Sequence, residues 1–257
     1  MTRPRHRWRE GRPGDDETLD VLLSDAGPGA YQPKKTYTRT FNIGVFSPKI
    51  DTDNTAMRWG NDLSFCIGQF TDGSGNIGES MTTGQRTVVT VDGRKLVDSR
   101  EPLCEDVGGL PSKSAKYRIS TDATRSTKVA GVTTRLVAAW TFTSKRTTGD
   151  EYTALPLSSV RFAPKLDMTS TAAAGRKLAV PLTLQGPAAK NLGSLSVQVS
   201  YDGGKKWSKA PVTTEKGKRS LTLNHPKKAK SVSLRAKLTD SKGNTYEVTV
   251  VKAYLLR

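Results

Sequence analysis

Apolar and polar residues alternate with a period of two along most of this chain, and turn-forming residues break the alternation at short, regular intervals. That pattern predicts half-buried β-strands. Tyr37–Ile43 reads as a first strand, and Leu63–Phe70 as a second with Leu63, Phe65, Ile67 and Gln69 on one face. A turn follows at Asp72-Gly73-Ser74-Gly75-Asn76. Thr87–Val91 and Arg94–Val97 flank Asp92-Gly93, a two-residue hairpin signal because both central positions need positive φ. Tyr117–Ser120 and Thr134–Phe142 continue the series, the latter with Leu136, Ala138, Trp140 and Phe142 on one face. Together these predict a β-sandwich over residues 31–150.

After a polar stretch at Lys145–Tyr152 the alternation resumes in seven short strands: Val160–Phe162, Arg176–Gln185, Leu195–Tyr201, a return strand beginning at Trp207, Arg219–Leu223, Ser231–Leu238 and Thr245–Tyr254. Strands spaced in this way predict an immunoglobulin- or fibronectin-III-like sandwich over residues 151–257. Pro181 lacks an N–H and is expected on an edge strand or at a bulge. The expected fold class is all-β, with two sandwich domains behind a disordered or irregular lead-in at residues 1–30, which is charged and rich in Gly and Pro.

The turn chemistry repeats. Thr71-Asp72-x-x-Gly75-Asn76-x-x-Glu79 recurs as Thr239-Asp240-x-x-Gly243-Asn244-x-x-Glu247, where Asp accepts backbone N–H bonds and Gly-Asn supplies left-handed positions. Ser200-x-Asp202-x-Gly204-x-x-Trp207 resembles the Asp-box hairpin: Asp202 is expected to bond the turn amides, Gly203 or Gly204 to take positive φ, and Trp207 to pack beneath. A single copy of that hairpin is a structural turn and not a sugar site.

The net charge is +17, and it is uneven: residues 151–257 carry 19 Lys and Arg against 6 Asp and Glu. Such a field attracts polyanions such as acidic glycans or an anionic cell surface; it also serves simply as a solvated basic face. The five arginines before residue 13 have only Trp8 among them, too little aromatic interleaving to point to nucleic acid. No apolar run approaches the roughly 20 residues of a membrane span. No secretory leader is visible, since Asp20-Val21-Leu22-Leu23 is shorter than the apolar stretch of about 7–15 residues such a leader needs.

Catalytic chemistry finds little to work with. Of the two histidines, His6 lies in the lead-in and His225 in an Asn-His-Pro turn. Gly78-Glu79-Ser80-Met81 is similar to the segment around a subtilisin nucleophile, but it follows a turn rather than preceding a long helix, so Ser80 is not assigned. Asp51-Thr52-Asp53-Asn54 lacks the Gly and distal Glu of a calcium loop. No catalytic, cofactor-binding or metal-ligating set is identified, and no cofactor is expected. Cys66 and Cys104 pair in an oxidising compartment and stay free in a reducing one; their spacing alone does not choose.

Several segments resemble the C-terminal region of secreted bacterial subtilisin-like serine peptidases: Ser159-Val160-Arg161-Phe162-Ala163-Pro164-Lys165, Val199-Ser200-Tyr201-Asp202-Gly203-Gly204 through Trp207, and Ser231–Ala236 through Asp240-x-x-Gly243-Asn244. Trp140-x-Phe142-x-Ser144 and Asp72-Gly73-Ser74-Gly75 fit the region before them. The resemblance implies an extracellular, non-catalytic tail that stabilises, spaces or localises a peptidase catalytic domain. The Asp, His and Ser segments of that catalytic domain are missing from this sequence, so the family's activity is carried onto no residue of this chain. A piece of a split gene and a free-standing accessory protein both fit. The alternative reading is a binding module for anionic cell-surface or glycan polymers, working through the lysines of the second domain.

Overall fold

The computed structural model describes residues 7–11, 19–25, 32–50, 55–149 and 151–257. The strands of its first part are β1 (Arg7–Gly11), β2 (Leu19–Ser24), β3 (Ala56–Trp59), β4 (Asp62–Cys66), β5 (Ile77–Ser80), β6 (Gly84–Val91), β7 (Arg94–Ser99), β8 (Cys104–Val107), β9 (Ala115–Thr124), β10 (Arg135–Ser144) and β11 (Thr153–Ala154). The second part holds β12 (Ser159–Phe162), β13 (Thr171–Ala172), β14 (Lys177–Gln185), β15 (Leu192–Ser200), β16 (Ser208–Lys209), β17 (Val212–Glu215), β18 (Lys218–Asn224), β19 (Ser231–Asp240) and β20 (Thr245–Leu256), with one 3-10 turn at Pro187–Ala189.

The protein is all-β. In the second part, one sheet runs β12-β14-β18-β17 and the opposing one β16-β15-β19-β20, with β13 parallel to β20. Lettered in chain order, these are the A-B-E-D and C′-C-F-G sheets of an immunoglobulin-like sandwich. Leu178, Val180, Leu182 and Leu184 share one face of β14, as the alternation predicts, and Val180 is fully buried. Pro181 departs from expectation, because β14 lies between β12 and β18 and is not an edge. Its carbonyl accepts from Ala163 N at 2.9 Å, just past the end of β12. The missing N–H therefore falls where the neighbouring strand has already stopped.

The two parts share a sheet. Strand β20 pairs on one side with β19 and on the other with β10, from Arg135↔Val251 to Thr141↔Thr245. The sheet then continues through β9 and β6 to β7. The β10-β9-β6-β7 portion packs on β11-β3-β4-β8, joined by Arg58 Nη1–H donating to Tyr117 Oη at 2.9 Å. A single apolar cluster runs through both parts, from Val45 to Leu256. Trp140 and Tyr246 face each other across the β10–β20 pair with ring centroids 5.1 Å apart, and Trp140 Nε1–H bonds Ser158 O at 2.9 Å. Thr153–Ala154, beyond the expected boundary at 150, pairs with β3 and so belongs to the first part's sheet.

Two further sequence expectations are corrected. The lead-in is not irregular throughout: β1 and β2 form a hairpin that adds to β5, with Val21 and Leu23 buried. Leu19–Ser24 is long enough to bury alternate residues once β5 supplies a partner. Leu23 lies so close to Gly78 that a Cβ there would sit 2.3 Å from Leu23 Cδ2, so the glycine is what lets the strands meet. In the other direction, Tyr37–Ile43 forms no strand. Its backbone is taken up by the Asp72 turn: Asn42 N–H donates to Asp72 Oδ2 and Asn76 Nδ2–H to Thr40 O, at 3.0 and 2.8 Å.

Candidate functional site

The repeated Asp-x-x-Gly-Asn turns fold alike. Asp72 Oδ1 accepts from Ser74 N and Asn76 N, each at 3.0 Å, and Asp240 Oδ1 from Lys242 N and Asn244 N at 2.8 and 2.9 Å. Gly75 and Gly243 take φ of 91° and 83°. A third copy escaped the sequence pattern. Asp167 Oδ1 accepts from Thr169 N and Thr171 N, and Ser170 holds the left-handed position at φ 57° without being glycine. All three stitch the two parts together. Asp72 O accepts from Arg161, Asn244 Oδ1 accepts from Thr143 N, and Ser170 Oγ accepts from Gly44 N.

Buried arginines include Arg161 at the seam and Arg125 within the first part. Arg161 on β12 is buried, and its guanidinium donates to Ser47 O and Oγ, Thr71 O and Asp72 O. Burial pulls its pKa down to about 10, leaving it protonated at neutral pH. Arg125 lies between the rings of Phe46 and Phe70, 4.8 and 4.4 Å from their centroids, and bonds Thr133 O and Val132 O. Burial lowers its pKa to about 9. Composition suggested a purely superficial basic charge; the planar guanidinium can instead be satisfied inside by carbonyls and aromatic faces.

The residues weighed for catalysis are engaged structurally. Ser80 Oγ donates to Asp20 O and accepts from Arg125 Nη1. His225 is buried, with Nδ1 3.2 Å from Tyr201 Oη and Nε2 3.3 Å from Tyr254 Oη. Burial pushes its pKa below the usual 6.5. The unfolded chain then binds a proton on this ring before the folded one does, so its stabilising contribution is present above about pH 6.5 and lost as pH falls. His225→Gln is expected to flatten the decline in urea stability between about pH 6.5 and 5 relative to the wild type; parallel slopes would refute the assignment. Asp51–Asn54 lies outside the described residues, and among those described no group of three or more His, Cys, Asp or Glu is placed to hold a metal.

Around Asp202 the expected hairpin is present. Asp202 Oδ1 accepts from Lys205 N and Lys206 N at 3.0 and 2.9 Å and from Ser200 Oγ at 2.7 Å, and the Lys206 amide and Ser200 hydroxyl chiefly hold its carboxyl below the usual range. Gly203 and Gly204 both take positive φ, and Trp207 Nε1–H bonds Gly204 O at 2.9 Å. Trp207 has a second role, carrying the Arg235 guanidinium 4.5 Å above its ring.

Arg235 opens onto the feature that best fits a binding site. The solvent face of the shared sheet is hollowed into a groove of about 470 Å³ that crosses from β16 to β9. Short side chains form its floor: Val137 and Ala139 on β10, Ser196 on β15 and Thr249 on β20. Lys209, Arg235, Lys237 and Arg118 stand around it with one carboxylate, Glu247. Glu247 bridges Lys237 at 2.9 Å and Arg118 at 3.6 Å, and the Lys237 hydrogen bond chiefly holds its pKa down.

No protein-family model matches the sequence, and no curated protein does. Among solved structures, a chimeric titin Z1Z2-Z1Z2 tandem covers 79% of this chain and 97% of its own at 15% identity and a TM-score of 0.27. Fibronectin(III)-like modules of Clostridium thermocellum CbhA cover 77% and 88% at 11% identity and a TM-score of 0.23. A Bacteroides ovatus glucan-utilisation protein, SGBP-B, solved with a mixed-linkage heptasaccharide, covers 81% and 45% at 12% identity and a TM-score of 0.20. Scores this low carry nothing about function, and the immunoglobulin-like assignment stands on strand order. The groove was only half legible beforehand. Charge composition announced the lysines, but β10 and β9 supply part of its floor and Arg118, and no local pattern places those strands beside β20.

Proposed function

We propose that this chain is a non-catalytic binding module that holds anionic surface or glycan polymers in the groove across its shared sheet. The carrying observation is the charge of that groove: four cations stand over a floor of short side chains with a single carboxylate among them. A sulfate- or carboxylate-bearing chain laid across the strands gains charge-assisted hydrogen bonds from Lys209, Arg235, Lys237 and Arg118. The structural engagement of Ser80 and His225 supports a non-catalytic role. The Cys66–Cys104 disulfide supports an extracellular setting. On the resemblance to the tails of secreted subtilisin-like peptidases, we further propose that the module localises or spaces a catalytic partner.

Dextran sulfate titration separates a groove from diffuse charge. Arg118→Ser with Lys237→Ser is expected to weaken binding about tenfold and to reduce its salt dependence. Lys227→Ser with Lys228→Ser, which removes the same charge from the turn before β19, is expected to change affinity less than about twofold. Equal losses in both pairs would overturn the groove assignment.

A further inference from the structure

A second concave surface lies on the outer face of the β11-β3-β4-β8 sheet. Trp59, at the end of β3, and Tyr152, just before β11, are 46% and 63% exposed although both are large and apolar. Their ring centroids are 6.1 Å apart and the planes tilt by 40°, so they form a bent aromatic shelf. Met57 continues the apolar lining of a shallow site of about 430 Å³, whereas Leu63 and Val107, which also border it, are buried in the core beneath. Asp62, Ser64 and Asp106 supply its polar groups, and among the described residues no lysine or arginine lines it. Ser64 pairs with Asp106 across β4 and β8, and the same register sets Cys66 against Cys104 two residues on. The disulfide thus pins together the two strands that carry the carboxylates.

From this juxtaposition we propose a second ligand site, for a neutral glycan chain, at Trp59 and Tyr152. The apolar C–H faces of pyranose rings match exposed aromatic faces, and vicinal hydroxyls donate to carboxylates such as Asp62 and Asp106. Two carboxylates in a lining without lysine or arginine repel the polyanions that suit the groove, and an aromatic shelf beside hydroxyl acceptors suits a neutral sugar chain. The site's size falls within the range of small-ligand pockets.

Isothermal titration with neutral hexasaccharides (cellohexaose, laminarihexaose, xylohexaose, mannohexaose and chitohexaose) tests the site. At least one is expected to bind, with affinity lost about tenfold or more in Trp59→Ala and in Tyr152→Ala. Both side chains are largely exposed, so unchanged thermal melts are expected to show that the loss is local. In the wild type, binding is expected to be insensitive to added salt, unlike binding of dextran sulfate, which separates this site from the groove. Three results would each sink the proposal: no binding by any of the five sugars at millimolar concentration, equal binding by both alanine variants, or preferential binding of a lysine-rich peptide that Trp59→Ala abolishes.

Discussion

Arg161→Met is expected to lower the free energy of unfolding by about 4 kcal/mol, a large share of the roughly 5–15 kcal/mol that holds a folded protein together. The guanidinium serves the carbonyls of Ser47, Thr71 and Asp72 at once, in a place without access to water. Methionine fills much of the volume but donates nothing: Thr71 O and Asp72 O keep the amides of Ser47 and Gly75 but lose a charge-assisted bond each, and Ser47 O is left bare, at roughly 1–3 kcal/mol for each loss. The loss falls on the seam, because Arg161 belongs to β12 of the immunoglobulin-like part while its acceptors belong to the first part. Arg161→Lys keeps the charge but not the planar fork, and is expected to cost more than half as much as methionine. Equilibrium denaturation in urea, followed by tryptophan fluorescence, measures both. A loss under about 1 kcal/mol for methionine would mean the seam does not depend on this side chain.

Reducing the disulfide is the second large perturbation. Cys66 and Cys104 are opposite each other in the β4–β8 pair with Cα atoms 3.9 Å apart, and they close a loop of sequence separation 38. By the chain-entropy account a loop of that length contributes about 3–4 kcal/mol. In a chain of this size that corresponds to a drop in Tm of about 10 °C. Because β8 is the edge strand of its sheet, the loss is expected to show first there, as faster amide exchange in Cys104–Val107. Cys66→Ser with Cys104→Ser should reproduce the effect without reductant. A double variant as stable as the oxidised protein would place the staple outside the cooperative core.

The two perturbations probe different connections. Arg161 and the three aspartate turns join the halves through buried polar contacts, whereas the disulfide joins strands within one sheet of the first half. The seam is also crossed by a backbone hydrogen-bond ladder, since β10 and β20 are neighbours in a single sheet. Strain or binding at the groove, which spans that junction, is therefore borne by both halves.

How much of this was legible in the chain follows from what period-two alternation encodes. Alternation told which residues of β4, β10 and β14 share a face and placed strands at β9, β19 and β20, and local turn chemistry identified the Asp92-Gly93 hairpin, the Asp202 turn and two of the three aspartate turns. Those features depend on residues close in sequence, so the sequence alone determined them. The pairing of β10 with β20, more than a hundred residues apart, has no local signature, because alternation names a face and not a neighbour. The same limit hid the lead-in hairpin, whose strand β2 lies between β1 and the distant β5, and made Tyr37–Ile43 look like a strand although its polar groups are claimed by the Asp72 turn. Whether Cys66 and Cys104 meet, which arginines go inside, and which cations surround one groove were likewise decided by tertiary structure. Each is a distance between segments that the backbone brings together only after the sheets have formed.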